Sequence, residues 1–334
     1  MKASKVFLRV FSGIIGLAVI VIGGMLIYVF AAKPDAGPPP EMNINADEEM
    51  IARGKYLATN VSQCMSCHSD RDKSRFGGPV IPGSEGKGGI LFGPEEDFPG
   101  HFYAQNITPY HLGDWTDGDI YHAMAAGVNK KGTPLFPIMP YHSYGIMDME
   151  DAKAVIAYIR TLDKIEHQVP ESEASFPMNI IMRMMPSAPQ PMIRPDPSDK
   201  VKYGEYLTTI AVCGDCHTPR EKGRPVPELA FSGGNPFIVK GGMAYTANIT
   251  PDDETGIGTW SEDFFVEYFK NYDRPFEEID KVKKGEFNTS MPWKEYAGMT
   301  DEDLRAIYAY LRTVKPVKNS VVKFVPDKKE VAQK

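Results

Sequence analysis

Cys64-Met65-Ser66-Cys67-His68 and Cys213-Gly214-Asp215-Cys216-His217 together use all four cysteines of this 334-residue chain. No other feature narrows the possible folds as far. Two thiols three residues apart can each bond one vinyl group of a single porphyrin, and the His that follows then sits beneath the iron as its proximal ligand. Cys-x-x-Cys also occurs in zinc half-sites and in dithiol oxidoreductases. A zinc site needs four ligands close together, whereas these pairs lie 149 residues apart with no further cysteine. A dithiol enzyme needs one pair, needs no adjoining His, and sits in an α/β pattern that this chain lacks. The pentads therefore predict two covalently attached haem c groups, held by Cys64, Cys67 and His68 and by Cys213, Cys216 and His217. No cysteine is left for a disulfide, so stability has to come from packing and from the haems.

Residues 10–32 carry no charge. At about 1.5 Å per residue, such a helix can cross a hydrocarbon core of roughly 30 Å. Lys2, Lys5 and Arg9 precede it and orient the N-terminus toward the cytoplasm. A cleaved secretory signal is the alternative, with a weak cleavage site at Val29-Phe30-Ala31. The run is longer than the ~7–15 residues of a signal core, however. The expectation is a single-pass anchor, residues 1–32, in the cytoplasmic membrane of a bacterium. The bilayer would hold residues 10–32, and the remainder would lie on the periplasmic side, where haem c is attached. Net charge is −7 for the chain and −10 for residues 10–334. This acidity argues against a nucleic-acid partner and allows steering toward a basic protein surface.

The pentads sit inside a long internal repeat. Arg53-Gly54-Lys55-Tyr56-Leu57 precedes the first, and Tyr203-Gly204-Glu205-Tyr206-Leu207 precedes the second. After each comes a Gly/Pro-rich loop, then Gly-x-x-Tyr-x-x-Asn-Ile-Thr-Pro. These are Gly100, Tyr103 and Asn106-Ile107-Thr108-Pro109, then Gly242, Tyr245 and Asn248-Ile249-Thr250-Pro251. Trp115 or Trp260 follows, then Met139-Pro140 or Met291-Pro292. Residues 139–162 match the later half at a constant offset of 152. The offset is 149 at the pentads and 142 at Asn-Ile-Thr-Pro, so the length differences fall in loops. Each half closes on an amphipathic helix, at residues 155–162 and 307–314. Ala152, Val155, Ile156 and Ile159 share one face, as do Leu304, Ile307, Tyr308 and Leu311. Asp148 is the expected N-cap of the first closing helix, and Thr300 with Asp303 spells a capping box for the second.

Strand signals are sparse, and the predicted fold is mostly α. Two tandem domains, 48–165 and 199–318, follow the N-terminal transmembrane helix. A Pro-rich extended linker occupies 33–47, an interdomain linker 166–198 and a polar tail 319–334. The apolar segment 176–186 is too short to span a membrane. It is expected to pack across the two domains, with docking on a membrane partner as the alternative.

The distal ligand separates electron transfer from catalysis. An iron with two strong protein ligands shuttles electrons, whereas an open face can bind peroxide or oxygen. His217 is the only histidine of the second half, which rules out bis-His ligation there. Met291 lies 74 residues after His217 and precedes a proline, as suits a loop held against a haem. Met299 opens the closing helix and reads as core, and Met243 is less consistent with the repeat. Met139 repeats the Met-Pro pattern 71 residues after His68. The predicted iron ligands are thus His68 with Met139 and His217 with Met291. His142 is the competitor in the first half, while His101, His111, His122 and His167 read as surface or hydrogen-bonded residues. Thioether ligation raises the potential relative to bis-imidazole, so both haems are expected to be fairly high in potential.

Asn106, Thr108, Asn248, Thr250 and the indoles of Trp115 and Trp260 are candidate donors to the haem propionates. The alternatives are turn chemistry for Asn-x-Thr-Pro and core packing for Trp. The same tripeptides match a glycosylation sequon, but their recurrence at one repeat position favours a haem-pocket role.

This order of motifs resembles the cytochrome c subunits of membrane-bound bacterial alcohol and gluconate dehydrogenases. The likeness covers nearly all of residues 48–318. It is carried by the pentads, the paired Asn-Ile-Thr-Pro segments, Gly256-Ile257-Gly258-Thr259-Trp260, and the Met-Pro segments before Tyr144 and Tyr296. The resemblance implies class I cytochrome c domains with His/Met haems that pass electrons from a dehydrogenase toward quinone or a terminal acceptor. It implies proximal roles for His68 and His217 and distal roles for Met139 and Met291. Many such subunits have three haem domains, whereas this chain has two pentads and an N-terminal apolar run. The expected function is a membrane-anchored dihaem electron carrier, not itself an enzyme. Its redox partners would be a membrane dehydrogenase or respiratory complex on one side and an oxidase or soluble cytochrome on the other. A dihaem peroxidase with one releasable distal face is the enzymatic alternative, and a fixed subunit of a respiratory complex is the third reading.

Overall fold

The computed structural model describes residues 2–31, 34–221 and 223–327. α1 (Lys2–Ala31) is one continuous helix of 30 residues. Val10, Ile14, Leu17, Ile20 and Met25 are each more than half exposed on it. Among the described residues no helix is long and apolar enough to cross a membrane. In α1 the side chains are described without interruption only over residues 9–25. Residue 32 and the side chains of residues 26 and 28–31, all within the predicted 10–32 anchor, lie outside what is described.

In the first half, α2 (Glu48–Tyr56) runs on as a wider π-helical turn over Leu57–Val61 and leads into α3 (Cys64–His68), the first pentad. β1 (Leu91–Phe92) pairs antiparallel with β2 (Gly100–Tyr103), Phe92 opposite Phe102. Then come α4 (Pro109–Leu112), α5 (Asp117–Ala126), α6 (Tyr141–Tyr144) and the closing helix α7 (Met149–Arg160). β3 (Glu173–Ala174) adds to the other edge of β2, and α8 (Met178–Ile181) lies between the halves. The second half repeats the plan with α9 (Lys200–Ile210) and α10 (Cys213–His217), the second pentad. A hairpin of β4 (Arg220–Glu221) and β5 (Arg224–Pro225) follows, then β6 (Pro236–Val239) paired with β7 (Gly242–Tyr245). α11 (Glu262–Lys270), α12 (Trp293–Ala297) and the closing helix α13 (Asp301–Leu311) complete it, and β8 (Phe324–Pro326) adds to β7. β3 and β8 fill the same place in their halves. Residues 173–174 therefore join the first sheet although they fall in the predicted linker, and 324–326 join the second although they fall in the predicted tail.

Each half is held by two helices crossing at a glycine. A Cβ at Gly54 of α2 would lie 1.8 Å from the carbonyl oxygen of Ala154 in α7. A Cβ at Gly204 of α9 would lie 1.8 Å from that of Ala306 in α13. A helical glycine costs about 1 kcal/mol against alanine, so this pair marks a packing demand. The apolar stripes face these crossings: Ala152, Val155, Ile156 and Leu304 are fully buried. The buried cluster is continuous from one half to the other, joining Leu57 and Val61 to Leu207, Ile210 and Met299.

The starts of the closing helices join the halves. Asp148 caps α7, accepting from the N–H groups of Glu150 and Asp151. Thr300 caps α13 by accepting from Asp303 N–H at 3.1 Å, but the expected capping box does not close, because Asp303 does not return the bond. Tyr56, from the other half, stands between them. Its hydroxyl donates to Asp303 Oδ2 at 2.5 Å and accepts from Thr300 N–H at 3.1 Å. Tyr206 does the same at α7, donating to Asp151 Oδ2 at 2.7 Å and accepting from Asp148 N–H at 3.3 Å. A capping box that is local does form at α5, between Thr116 and Asp119.

The connecting segments are docked. Residues 34–47 lie extended along the first half. Ala36 is buried with Ala126 and Val128, His122 Nε2 hydrogen-bonds the Gly37 carbonyl at 3.0 Å, and Ile44 N–H donates to Asp117 Oδ2 at 3.2 Å. The 176–186 segment departs from its expected packing between the domains. Met182 is buried, but Phe176 is 78% and Met184 68% exposed. The space between the halves is already filled by α6 against α9 and by α12 against the Leu57–Val61 turn.

Gly54→Ala and Gly204→Ala should each lower the unfolding free energy by about 3 kcal/mol, read from guanidinium unfolding of the haem-loaded protein. An unchanged midpoint in both would remove the crossings as the basis of the fold.

Candidate haem sites

Both pentads are single helical turns entered through a residue with left-handed backbone, Gln63 at φ 56° and Val212 at φ 52°. That conformation is rare for a β-branched residue and costs on the order of 1–3 kcal/mol. The same bond braces it in each half. The Tyr144 phenol donates to the Ser62 carbonyl, and the Tyr296 phenol donates to the Ala211 carbonyl at 2.7 Å. Each tyrosine thus ties the helix after a Met-Pro segment to the entry of its pentad.

The two histidines are oriented identically. His68 Nδ1 lies 2.6 Å from the Gln105 carbonyl, and His217 Nδ1 lies 2.7 Å from the Ala247 carbonyl. A carbonyl accepts only, so each Nδ1 carries the proton and each Nε2 keeps its lone pair, the form a metal ligand needs. Neither Nε2 has a hydrogen-bond partner among the described residues. Burial holds both rings below the usual histidine range, against a smaller upward pull from the carbonyls, so both are neutral at pH 7.

A Gly-Gly pair behind each histidine is absent from the sequence expectations. Gly88 and Gly89 sit at φ 72° and 105°, and Gly233 and Gly234 at 74° and 101°. Gly88 N–H donates to the His68 carbonyl at 2.8 Å, and Gly233 N–H to the His217 carbonyl at 2.7 Å. A Cβ at Gly88 would come within 2.5 Å of Asn106 N, and one at Gly233 within 2.4 Å of the Ala247 carbonyl group. The signal was present as a repeated pair, hidden by unlike loops before it.

All four cysteines are unpaired. Burial pushes the Cys64 and Cys213 thiols up to about 12, with a further push from the second cysteine of each pentad. Cys216 also rises to about 12, through burial, then Asp215, then Cys67 of the other pentad. Burial raises Cys67 as well. Tyr296 feels its own pentad's cysteines, then Tyr144 and Cys67, on top of its burial.

The four Asn and Thr side chains expected at the propionates are engaged in hydrogen bonds within the protein. Both hydrogens of the Asn106 amide are committed, to the carbonyls of Ile165 and His167 at 2.9 and 3.0 Å. Those of Asn248 go to Thr255 Oγ1 and the Val317 carbonyl at 3.0 and 2.7 Å. Thr108 donates to Asn106 Oδ1 at 2.7 Å, and Thr250 Oγ1 lies 2.8 Å from Asn248 Oδ1. The motif is a latch between each loop and the chain leaving the closing helix. The tryptophans differ: neither indole N–H has a partner among the described residues. Their carbonyls are bound, Trp115 by Arg160 at 2.5 Å and Trp260 by Tyr308 at 2.6 Å.

Met139 and Met291 are half-buried against the core, each just ahead of a short helix, α6 or α12. Met147 and Met299, at matching repeat positions, are 1% exposed and belong to the core. Met243 lies within β7, opposite Ile238. His142 is exposed and faces Asp215 of the second pentad electrostatically.

The donor set fits two haem c groups: paired free thiols, and neutral imidazoles with a free Nε2 beside them. The cytochrome c family model matches residues 51–163 and again residues 201–315. The chain belongs to the cytochrome c family. It is 30% identical over 300 residues to the cytochrome c subunit of a quinone alcohol dehydrogenase from Gluconacetobacter polyoxogenes, covering 84% of this chain and 59% of that protein. It is 28% identical over 291 residues to the gluconate 2-dehydrogenase cytochrome c subunit of Pantoea cypripedii, covering 80% and 60%. A dihaem c-type cytochrome of Cereibacter sphaeroides is 29% identical over 267 residues, covering 75% and 81%. The chain thus spans less than two thirds of the two dehydrogenase subunits. This cytochrome c carries two covalently bound haem c groups.

The latch makes a sharp prediction for this cytochrome. Asn106→Ala or Asn248→Ala should cost about 2 kcal/mol of stability in denaturant unfolding and leave both reduction potentials in place. A shifted potential without loss of stability would restore a propionate role.

Proposed function

We propose that this cytochrome c is a membrane-anchored relay passing single electrons between its two haems, from a dehydrogenase or respiratory complex to an oxidase or soluble cytochrome. The observation that carries the reading is the repeated site: in each half two free thiols stand beside a buried histidine whose Nδ1 is held by a carbonyl, His68 by Gln105 at 2.6 Å and His217 by Ala247 at 2.7 Å. When bound, each haem supplies an iron that gains and loses one electron. Cys64, Cys67, Cys213 and Cys216 tether the haems. His68 with Met139 and His217 with Met291 would ligate the two irons. The indole N–H groups of Trp115 and Trp260, which have no hydrogen-bond partner among the described residues, would donate to propionates. Residues 10–32 anchor the chain in the cytoplasmic membrane with the haem domains on the periplasmic side. The lack of charge in that run and the exposed apolar side chains of α1 support this. The dehydrogenase as donor draws on the names of the related subunits.

The two distal loops differ in what holds them. The Met139 loop is braced within its own half, where Phe136 stacks on Phe102 at 4.1 Å and Leu135 N–H donates to the Gly127 carbonyl at 2.7 Å. The Met291 loop is braced by the first half. Gly77 N–H donates to Asn288 Oδ1 at 3.1 Å, and Met291 N–H donates to Thr289 Oγ1 at 3.1 Å. Phe76 N–H donates to the Asp280 carbonyl at 2.9 Å, and Arg75 Nη1 to the Ile279 carbonyl at 2.5 Å.

Spectroelectrochemical titration with near-infrared detection should give a ferric methionine–iron band from both haems. A band from one haem only, with high-spin iron at the other and peroxide turnover, would replace the relay with a peroxidase. Asn288→Ala, which removes a buried acceptor worth about 1–3 kcal/mol, should weaken the band and shift the potential of the second haem while leaving the first unchanged.

A further inference from the structure

Phe176, Ile181 and Met184 make an apolar edge left open to solvent among the described residues. They are 78%, 39% and 68% exposed, while Met182 between them is turned inward at 7%. α8 and the 3-10 turn Met182–Met184 form one short helical run, anchored at its start by Asn179 N–H on the Ser175 carbonyl. The run is thus a rigid wedge, apolar on its outer side.

Its position follows from covalent geometry. Asp35 forms a parallel β-bridge with Ser187, three residues beyond Met184. Asp35 is also only four residues past Ala31, the end of α1. Four residues reach at most about 14 Å when fully extended, so Asp35 lies no farther than that from the end of α1, and Ser187, one strand spacing of about 5 Å away, within roughly 19 Å. The bridge cannot swing away. Ala36 is buried with Ala126 and Val128, and the Gly37 carbonyl is bound by His122. The apolar edge is therefore held beside the point where α1 ends.

We propose that this edge is a second, interfacial membrane contact, with Phe176, Ile181 and Met184 entering the headgroup boundary of the leaflet from which α1 emerges. It rests on the reading of α1 as an anchor, since the end of a spanning helix fixes where that boundary lies. A helical segment with one apolar side can lie in this boundary with that side turned toward the acyl chains. Lipid is the fitting occupant because the tether length holds the edge at the bilayer surface whether or not a partner is bound. One anchor alone leaves the haem domains free to rotate about it. A second contact fixes which face of the first domain looks along the membrane and which looks away.

The test is spin-label accessibility in the full-length, haem-loaded protein, reconstituted in phosphatidylcholine vesicles. Labels are placed by Met184→Cys on the edge, Val19→Cys in α1 and Glu228→Cys on the exposed surface of the second half. Haem absorbance checks that each variant is folded. The expected result is oxygen access exceeding access by a water-soluble nickel chelate at Met184 and Val19, with the reverse at Glu228. A Met184 label in water with the Val19 label in lipid would overturn the contact, leave the anchor standing and give the edge to a protein partner. Both labels in water would overturn the anchor and the contact together.

Discussion

Tyr56 and Tyr206 each finish a helix that belongs to the other half of the molecule. The amino end of a helix leaves N–H groups without partners, and these are normally satisfied from the preceding residues. Here a phenol accepts from the N-cap N–H and donates to the carboxylate three residues on, at α13 and again at α7. Burial, then the facing aspartate, keeps both phenols protonated far above neutral pH, so each remains a donor. Both tyrosines lie just ahead of a pentad, so these contacts tie the approach to each pentad to the closing helix of the other half. The arrangement is not fully symmetric. Asp151 also binds Arg53 through two bonds and Arg194 at 2.6 Å, whereas Asp303 has Tyr203 at the position matching Arg53.

What could be read from the sequence were the parts that depend on side-chain identity within a short stretch. The pentads, the crossing glycines flanked by tyrosine and leucine, and the stripes of the closing helices all have this character. What escaped was non-local or carried by backbone. Gln105 and Ala247 orient the histidines through carbonyls that any residue would supply, so nothing in their identity marks them. Thr300 and Asp303 spell a capping box correctly at the local level, yet the second bond goes through a tyrosine more than two hundred positions earlier. Asn106 and Asn248 showed by recurrence that they mattered. The recurrence could not say that their amides serve carbonyls beyond the closing helix. β3 and β8 are two or three residues long, too short for an alternating pattern to register.

The docked course of residues 34–47 changes what a tether means here. A Pro-rich linker of this length, free in solvent, would let the haem domains range over several tens of ångströms. With Ala36 buried and Ile44 bound to Asp117, little of it is free. On the proposed anchoring of residues 10–32, reach toward a partner comes from movement in the membrane plane, because the docked contacts shorten the tether.

The two haem sites are alike on their proximal sides and unlike on their distal ones. Each proximal side repeats the same parts at the same positions: left-handed entry, phenol brace, carbonyl acceptor and Gly-Gly turn. The loop carrying Met139 closes on aromatic packing within its own half. The loop carrying Met291 leans on Arg75, Phe76 and Gly77, which follow the first pentad directly in sequence. Phe76 also stacks on Tyr272 at 5.8 Å, extending that support into the aromatic cluster of the second half. A second half parted from the first would keep its proximal side and lose the brace behind its distal loop. Contact between the halves therefore supports the loop carrying Met291 in a way that it does not support the loop carrying Met139.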